Sequence, residues 1–209
     1  MMNYYRDEIK GTWGTCNWVL KRNGVLTIKE GQGVTIYDRE YPEVPESPWY
    51  NYRADIEYIR AEGHVVLPED SGWLFSHLFN VRYIDTKNFD TSHVKNMRNM
   101  FYMSGLTSLR PEFDTSHVQD MSRMFCMCYN LKRLDLSRFD TSHAEDMFAM
   151  FSACEALQSL DISSFDVKNV RDMRGMFRLC RPQELHIFDF DVDCVTPENK
   201  DEWVEEMFS

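Results

Sequence analysis

From residue 89 onward the apolar and polar positions fall into blocks. Phe89-Asp90-Thr91-Ser92-His93-Val94 recurs as Phe113-Asp114-Thr115-Ser116-His117-Val118 and as Phe139-Asp140-Thr141-Ser142-His143-Ala144. It then weakens to Phe165-Asp166-Val167-Lys168-Asn169-Val170, at spacings of 24, 26 and 26 residues, and fades at Phe190-Asp191-Val192 after another 25. Ile84 to Phe89 reads as the tail of an incomplete earlier unit. A fixed period of this size marks a stack of repeats, each of which buries its apolar face only against its neighbours. Within each block two periods alternate. Val118, Met121, Met124 and Phe125 lie at i, i+3, i+6 and i+7, which predicts one face of a short helix. The same columns read Val94, Met97, Met100, Phe101; Ala144, Met147, Met150, Phe151; and Val170, Met173, Met176, Phe177. Ser116 with Gln119 and Ser142 with Glu145 fit a capping box at the helix start. Leu131, Leu134 and Leu136 then point inward, with Arg133 and Asp135 outward, at the period of a strand. Leu106 and Leu109; Leu157, Leu160 and Ile162; and Leu185 and Ile187 are the equivalent inward residues. The pattern predicts an α/β repeat, a leucine-rich-repeat-like solenoid of about 4–5 coils stacked about 4.8 Å apart.

The ends of such a stack need covers, and three segments follow. Residues 1–73 predict a β-rich cap: Trp18-Val19-Leu20 and Val25-Leu26-Thr27-Ile28 flank a turn with Asn23-Gly24, a hairpin signal. Pro42, Pro45 and Pro48 make Glu40–Ser47 a loop. Residues 74–191 are the repeats. Residues 192–209 predict an acidic capping helix, opened by Thr196-Pro197, with Trp203, Val204, Met207 and Phe208 on one face.

The run from Phe113 to Ser137, with its Asp-Thr-Ser, paired Met, Met-Phe, Cys and Leu-Asp-Leu-Ser positions, resembles the BspA-like leucine-rich repeat, over about 120 residues from Leu74 to Asp191. Gly14-Thr15-Cys16, Trp18, Gly24 to Ile28 and Pro48-Trp49 are similar to the segment that often precedes such repeats. The resemblance implies a non-catalytic binding or adhesion module of bacterial cell-surface proteins.

Composition narrows the function. The net charge of −11 disfavours nucleic acid as a partner, since phosphate is held mainly by Lys and Arg. Most of the acidity sits in residues 189–209, which carry eight acids against Lys200. There is no apolar run of about 18 residues to cross a membrane. The first residues lack the apolar core of an export signal, so a cytoplasmic location is expected as the chain stands, with the cell surface or secretion as the alternative if an export signal is missing from this sequence. Cys128, Cys154 and Cys180 share a column with Ser104, where a thiol packs as a small hydrophobe. His93, His117 and His143 form a second column. Aligned imidazoles suit a transition metal or a pH response, but parallel side chains on neighbouring coils do not converge on one ion, and exposed turn residues are the expectation. Asp90, Asp114, Asp140 and Asp166 form a third column, and Asp before Thr-Ser is the pattern of an Asx turn rather than of a calcium site. Neither a nucleophile elbow nor a phosphate-binding glycine loop is present, so no enzyme activity, cofactor or metal is expected.

Function is therefore expected on the surface that the repeat multiplies. The outward strand residues Tyr83, Asp85, Ser108, Arg110, Arg133, Asp135, Ser159, Asp161, Glu184 and His186 make a mixed-charge strip suited to a protein partner. The first expectation is a non-enzymatic recognition module, an intracellular inhibitor or decoy, that docks its partner there. The alternatives are a bacterial surface adhesin that binds host or matrix proteins, and docking through tail acids Asp201, Glu202, Glu205 and Glu206.

Overall fold

The computed structural model describes residues 7–37, 46–180, 182, 184–186 and 205–208. Strands β1 (Glu8–Trp13), β2 (Cys16–Lys21) and β3 (Val25–Gln32) form an antiparallel meander. The β2–β3 turn closes with the Gly24 N–H on the Lys21 carbonyl at 2.9 Å, and Gly24 takes a φ of 78° that L side chains avoid. β4 (Tyr58–Val66) adds parallel to β3, with Leu26 beside Ile59. β5 (Tyr83–Asp85) and β6 (Phe89–Asp90) then pair parallel with successive parts of β4, completing a six-stranded mixed sheet. A second sheet of four parallel strands follows: β7 (Ser108–Leu109), β8 (Arg133–Leu134), β9 (Ser159–Asp161) and β10 (Glu184–His186).

The expected α/β solenoid with helical stripes and a helical C-terminal cap is corrected by these elements. Among the described residues the only helical pieces are a 3₁₀ turn at Tyr50–Tyr52 and one turn at residues 205–208. The stripe residues are buried as the period required, with Met97, Met100, Phe101, Met121, Met124 and Phe125 all at 0% exposure. Their backbone, however, runs as consecutive turns. In residues 97–104 the N–H groups of Met100, Tyr102 and Ser104 bond three residues back. Those of Met97, Asn99, Phe101 and Met103 bond outward to Asp120, Ser122, Met124 and Cys126 of the next repeat, at 2.8–3.0 Å. The same outward bonds join residues 121–127 to 146–152 and 147–153 to 172–178. Left-handed residues make the alternation possible: Asn99 and Met103, Arg123 and Met127, Ala149 and Ala153 all have φ between 53° and 61°. Spacing gives the physical reason. The rings of Phe101, Phe125, Phe151 and Phe177 stack at 5.5–5.9 Å from one repeat to the next. A helix is about 10 Å across and has no room at that rise.

That file of rings runs the length of the core. Trp13 meets Trp49 edge-on, Trp49 stacks on Phe75, and Phe75 stacks on Phe101 at 5.8 Å. At the far end Phe177 meets Phe208 at 5.3 Å, while the N–H groups of Gly175 and Phe177 donate to the carbonyls of Glu206 and Met207. So the single turn at 205–208 continues the hydrogen-bond pattern of the stack rather than covering it with a helix. Thr196-Pro197, Trp203 and Val204, and the loop prolines Pro42 and Pro45, lie outside the described residues.

Candidate functional site

The Phe-Asp-Thr-Ser unit sets the turn that leads away from each strand. Phe89, Phe113, Phe139 and Phe165 are buried. Asp90, Asp114 and Asp140 accept the N–H of Ser92, Ser116 and Ser142 at 2.9–3.0 Å, closing Asx turns. The serine hydroxyl and N–H hold each of these carboxyls below its ordinary value. In place of a capping box, the Ser116 hydroxyl donates to Asp114 at 2.6 Å. Thr91, Thr115 and Thr141 are buried and donate to the carbonyls of Asp114, Asp140 and Asp166 in the next repeat, each at 2.9 Å.

These anchors hold the strands in register, and the register assembles part of the expected strip. Ser108, Arg133, Ser159 and Glu184 form one row across β7–β10, with Asp161 beside His186 in a second row. Arg110 and Asp135 follow their strands directly and join as an exposed ion pair, Arg110 Nε to Asp135 Oδ2 at 3.1 Å. Asp135 also accepts from Ser137, whose hydroxyl and N–H, with Arg110 and Arg138, keep its carboxyl low. Asp161 is matched by Ser163 in the same way. Arg133 is exposed and makes no ion pair among the described residues. Tyr83 and Asp85 stand apart in the six-stranded sheet, Tyr83 stacked on Tyr58 at 5.5 Å and Asp85 in register with Arg60. The strip is thus divided between two sheets. Of the tail acids, Glu205 is exposed and Glu206 half-buried; Asp201 and Glu202 lie outside the described residues.

Sequence reasoning missed three features. A polar cleft of about 280 Å³ opens between Asp135 and Asp161, lined also by Ser137, Ser159 and Ser163. The repeated Asp-Leu-Ser and Asp-Ile-Ser at 135–137 and 161–163 were its signal. On the turn side, Asp70, Asn96, Asp120, Asp146 and Asp172 line up through parallel bridges, and Phe148 lies between Arg123 and Arg174, 4.7 and 5.9 Å from its ring. Half-buried His77 is ringed by Tyr50, Trp73, Phe79 and Tyr102, with burial and nearby Arg53 lowering its affinity for a proton. Asp135 and Asp161 each have one oxygen committed to a serine, and Asp85 has one on the Lys87 N–H. Such an arrangement offers charged and polar contacts rather than a nucleophile paired with a base.

A stack of short parallel strands that presents a polar face is the class of protein these observations define. The chain belongs to the family described as Mycoplasma protein of unknown function, DUF285, which matches residues 71–181 and 105–208. No curated protein matches it. Among solved structures it is similar to a leucine rich cell surface protein from Faecalibacterium prausnitzii A2-165, at 17% identity and a TM-score of 0.32, covering 87% of this chain and 43% of that one. It is also similar to a leucine-rich repeat protein from Eubacterium ventriosum ATCC 27560, at 13% identity and a TM-score of 0.28, covering 88% of this chain and 60% of that one. The chain thus spans about half the length of these two proteins.

Proposed function

We propose that the chain is a non-catalytic recognition module that docks a protein partner on the strand face of its second sheet. The observation that carries this reading is the row Ser108, Arg133, Ser159, Glu184, held in register by buried threonines and flanked by the Arg110–Asp135 pair and the Asp135–Asp161 cleft. It combines an exposed arginine, fixed carboxylates and small hydroxyls on a rigid support, a composition that suits a protein surface. The module serves either as an inhibitor or decoy inside the cell or as an adhesin on its surface. Fractionation of the source cells decides between them, and chain found on the surface excludes the first.

The docking face is tested by placing the photo-crosslinking residue benzoylphenylalanine at position 133 or at exposed Glu155, away from the strip, and irradiating the chain with source-cell protein. The expected result is one dominant adduct from position 133 that is missing from position 155. Equal adducts from both positions would remove the strip from consideration.

A further inference from the structure

Each complete Asp-Thr-Ser-His turn ends in an exposed imidazole, and His93, His117 and His143 lie on successive repeats. The rings of His117 and His143 stack, 6.4 Å apart and 16° from parallel. Each has its Nδ1 against the hydroxyl of the preceding serine, 3.1 Å from Ser116 Oγ and 3.3 Å from Ser142 Oγ. The Ser116 hydroxyl gives its own proton to Asp114 at 2.6 Å, so towards His117 it can only accept. That fixes the proton on Nδ1 and leaves the Nε2 lone pair of His117 free. At His143 the Ser142 hydroxyl takes the same place beside Nδ1, while Asp140 accepts the Ser142 N–H at 2.9 Å. An imidazole whose N–H is given to an oxygen is the form in which histidine binds metals, with the outer partner fixing the tautomer and raising the basicity of the other nitrogen.

We propose that His117 and His143 are a surface chelating pair for a divalent transition-metal ion of the borderline class, bound through their two Nε2 atoms. Metal–nitrogen bonds of about 2.0–2.1 Å need the two nitrogens about 3–4 Å apart. Each exposed ring reaches this by turning about both of its side-chain torsions, with χ1 supplying most of a roughly 1–2 Å shift. Side chains that stay parallel do not converge on one ion, but this exposed pair is free to lean, and the tautomer of His117 is set. No group of three or more ligating side chains is gathered among the described residues, so water fills the remaining positions. His93 is the internal comparison: it carries the same motif, but among the described residues the stacked imidazoles of this column are those of His117 and His143. Beyond His143 the column passes to Asn169, whose amide donates to the Ser142 carbonyl at 2.7 Å.

The test uses Ni²⁺ as the probe, titrated into the full chain at about pH 7.5. It is followed by calorimetry and by paramagnetic broadening of the imidazole proton signals. The expected result is one ion per chain, with His117 and His143 broadened before His93. Affinity should fall about tenfold or more in both His117→Ala and His143→Asn and hold in His93→Ala. These side chains are exposed, so the variants should keep the wild-type melting temperature. A smaller loss in either pair variant, or an equal loss in His93→Ala, overturns the proposal.

Discussion

Thr115 uses one hydroxyl twice: it donates to the carbonyl of Asp140 and accepts the N–H of the same residue, both at 2.9 Å. Thr141 repeats this with Asp166, and in the last repeat Val167 holds the column without a hydroxyl. Thr115→Val keeps the shape of the side chain and strips both partners from a buried position. It should therefore cost about 1–3 kcal/mol, read as a lower urea midpoint. No change in the midpoint would mean that the backbone re-pairs without the hydroxyl. The cysteine column argues from burial alone. Cys128 and Cys154 are buried and donate to the carbonyls of Phe101 and Phe125 at 3.1 Å. Burial pushes the thiols of Cys128 and Cys180 up to about 12 and that of Cys154 well above its ordinary value. Thiolate, the reactive form, is then scarce at neutral pH. A thiol reagent should leave all three untouched until denaturant is added, and a mass map showing a disulfide among them would refute this.

At the scale of elements, the column Asp70, Asn96, Asp120, Asp146, Asp172 does one backbone job five times: each Oδ1 accepts the N–H two residues on, at 2.8–3.0 Å. Charge is not needed for that job, since Asn96 does it at 2.8 Å. At Asp146 charge is a cost, because burial and then the like charges of Asp120 and Asp172 push its carboxyl above the ordinary value. A carboxyl raised in the folded state destabilises the fold when ionised, and that cost disappears once pH falls below the unfolded value of about 3.9. Asp146→Asn should therefore raise the urea midpoint at about pH 7 and leave it unchanged at about pH 3. A lower midpoint at neutral pH would mean that Arg98 pairs with the carboxylate strongly enough to offset its burial. The ring file predicts the opposite sign. Phe151 stacks between Phe125 and Phe177 with no exposure, so Phe151→Ala should cost about 3–5 kcal/mol, and a loss below about 0.5 would mean that the file is not core. This stripe was legible in the sequence because the inward positions, Met97, Met100 and Phe101, are the same for a helix and for stacked turns. The sign of φ was not legible. Among its left-handed positions, Met103, Arg123, Met127, Ala149 and Ala153 are residue types that give no such signal, and only Asn99 and Gly175 do.

For the whole molecule, the repeat made the strip readable through its period of two, while its division between two sheets was hidden. The break falls at the first complete repeat, which is 24 residues long where the next two have 26. There Gly105 lies so close to the Phe79 carbonyl that a Cβ would collide with it, and β5 and β7 do not join as a ladder. The binding prediction therefore rests on the second sheet, with Arg133 at its centre between Ser108 and Ser159. Arg110 is tied to Asp135, so Arg110→Ala also releases a carboxylate; Arg133→Ala removes contacts to the partner alone. Interface energy concentrates in central, desolvated residues and favours arginine, so Arg133→Ala should weaken partner binding by at least ~2 kcal/mol, about thirtyfold. Exposed Glu205 and its acidic neighbours in the tail offer the competing surface. Binding there would act at long range through solvent and collapse once ionic strength passes about 0.15 M, where the Debye length is about 8 Å. Binding at the strip should persist through that salt, because the contacts that matter are close and shielded from water. Two titrations with the crosslinked partner separate the cases, one across ionic strength and one across variants. If Arg133→Ala binds normally while neutralising Asp201, Glu202, Glu205 and Glu206 abolishes the complex, the partner sits on the tail and the strip serves only to hold the repeats together.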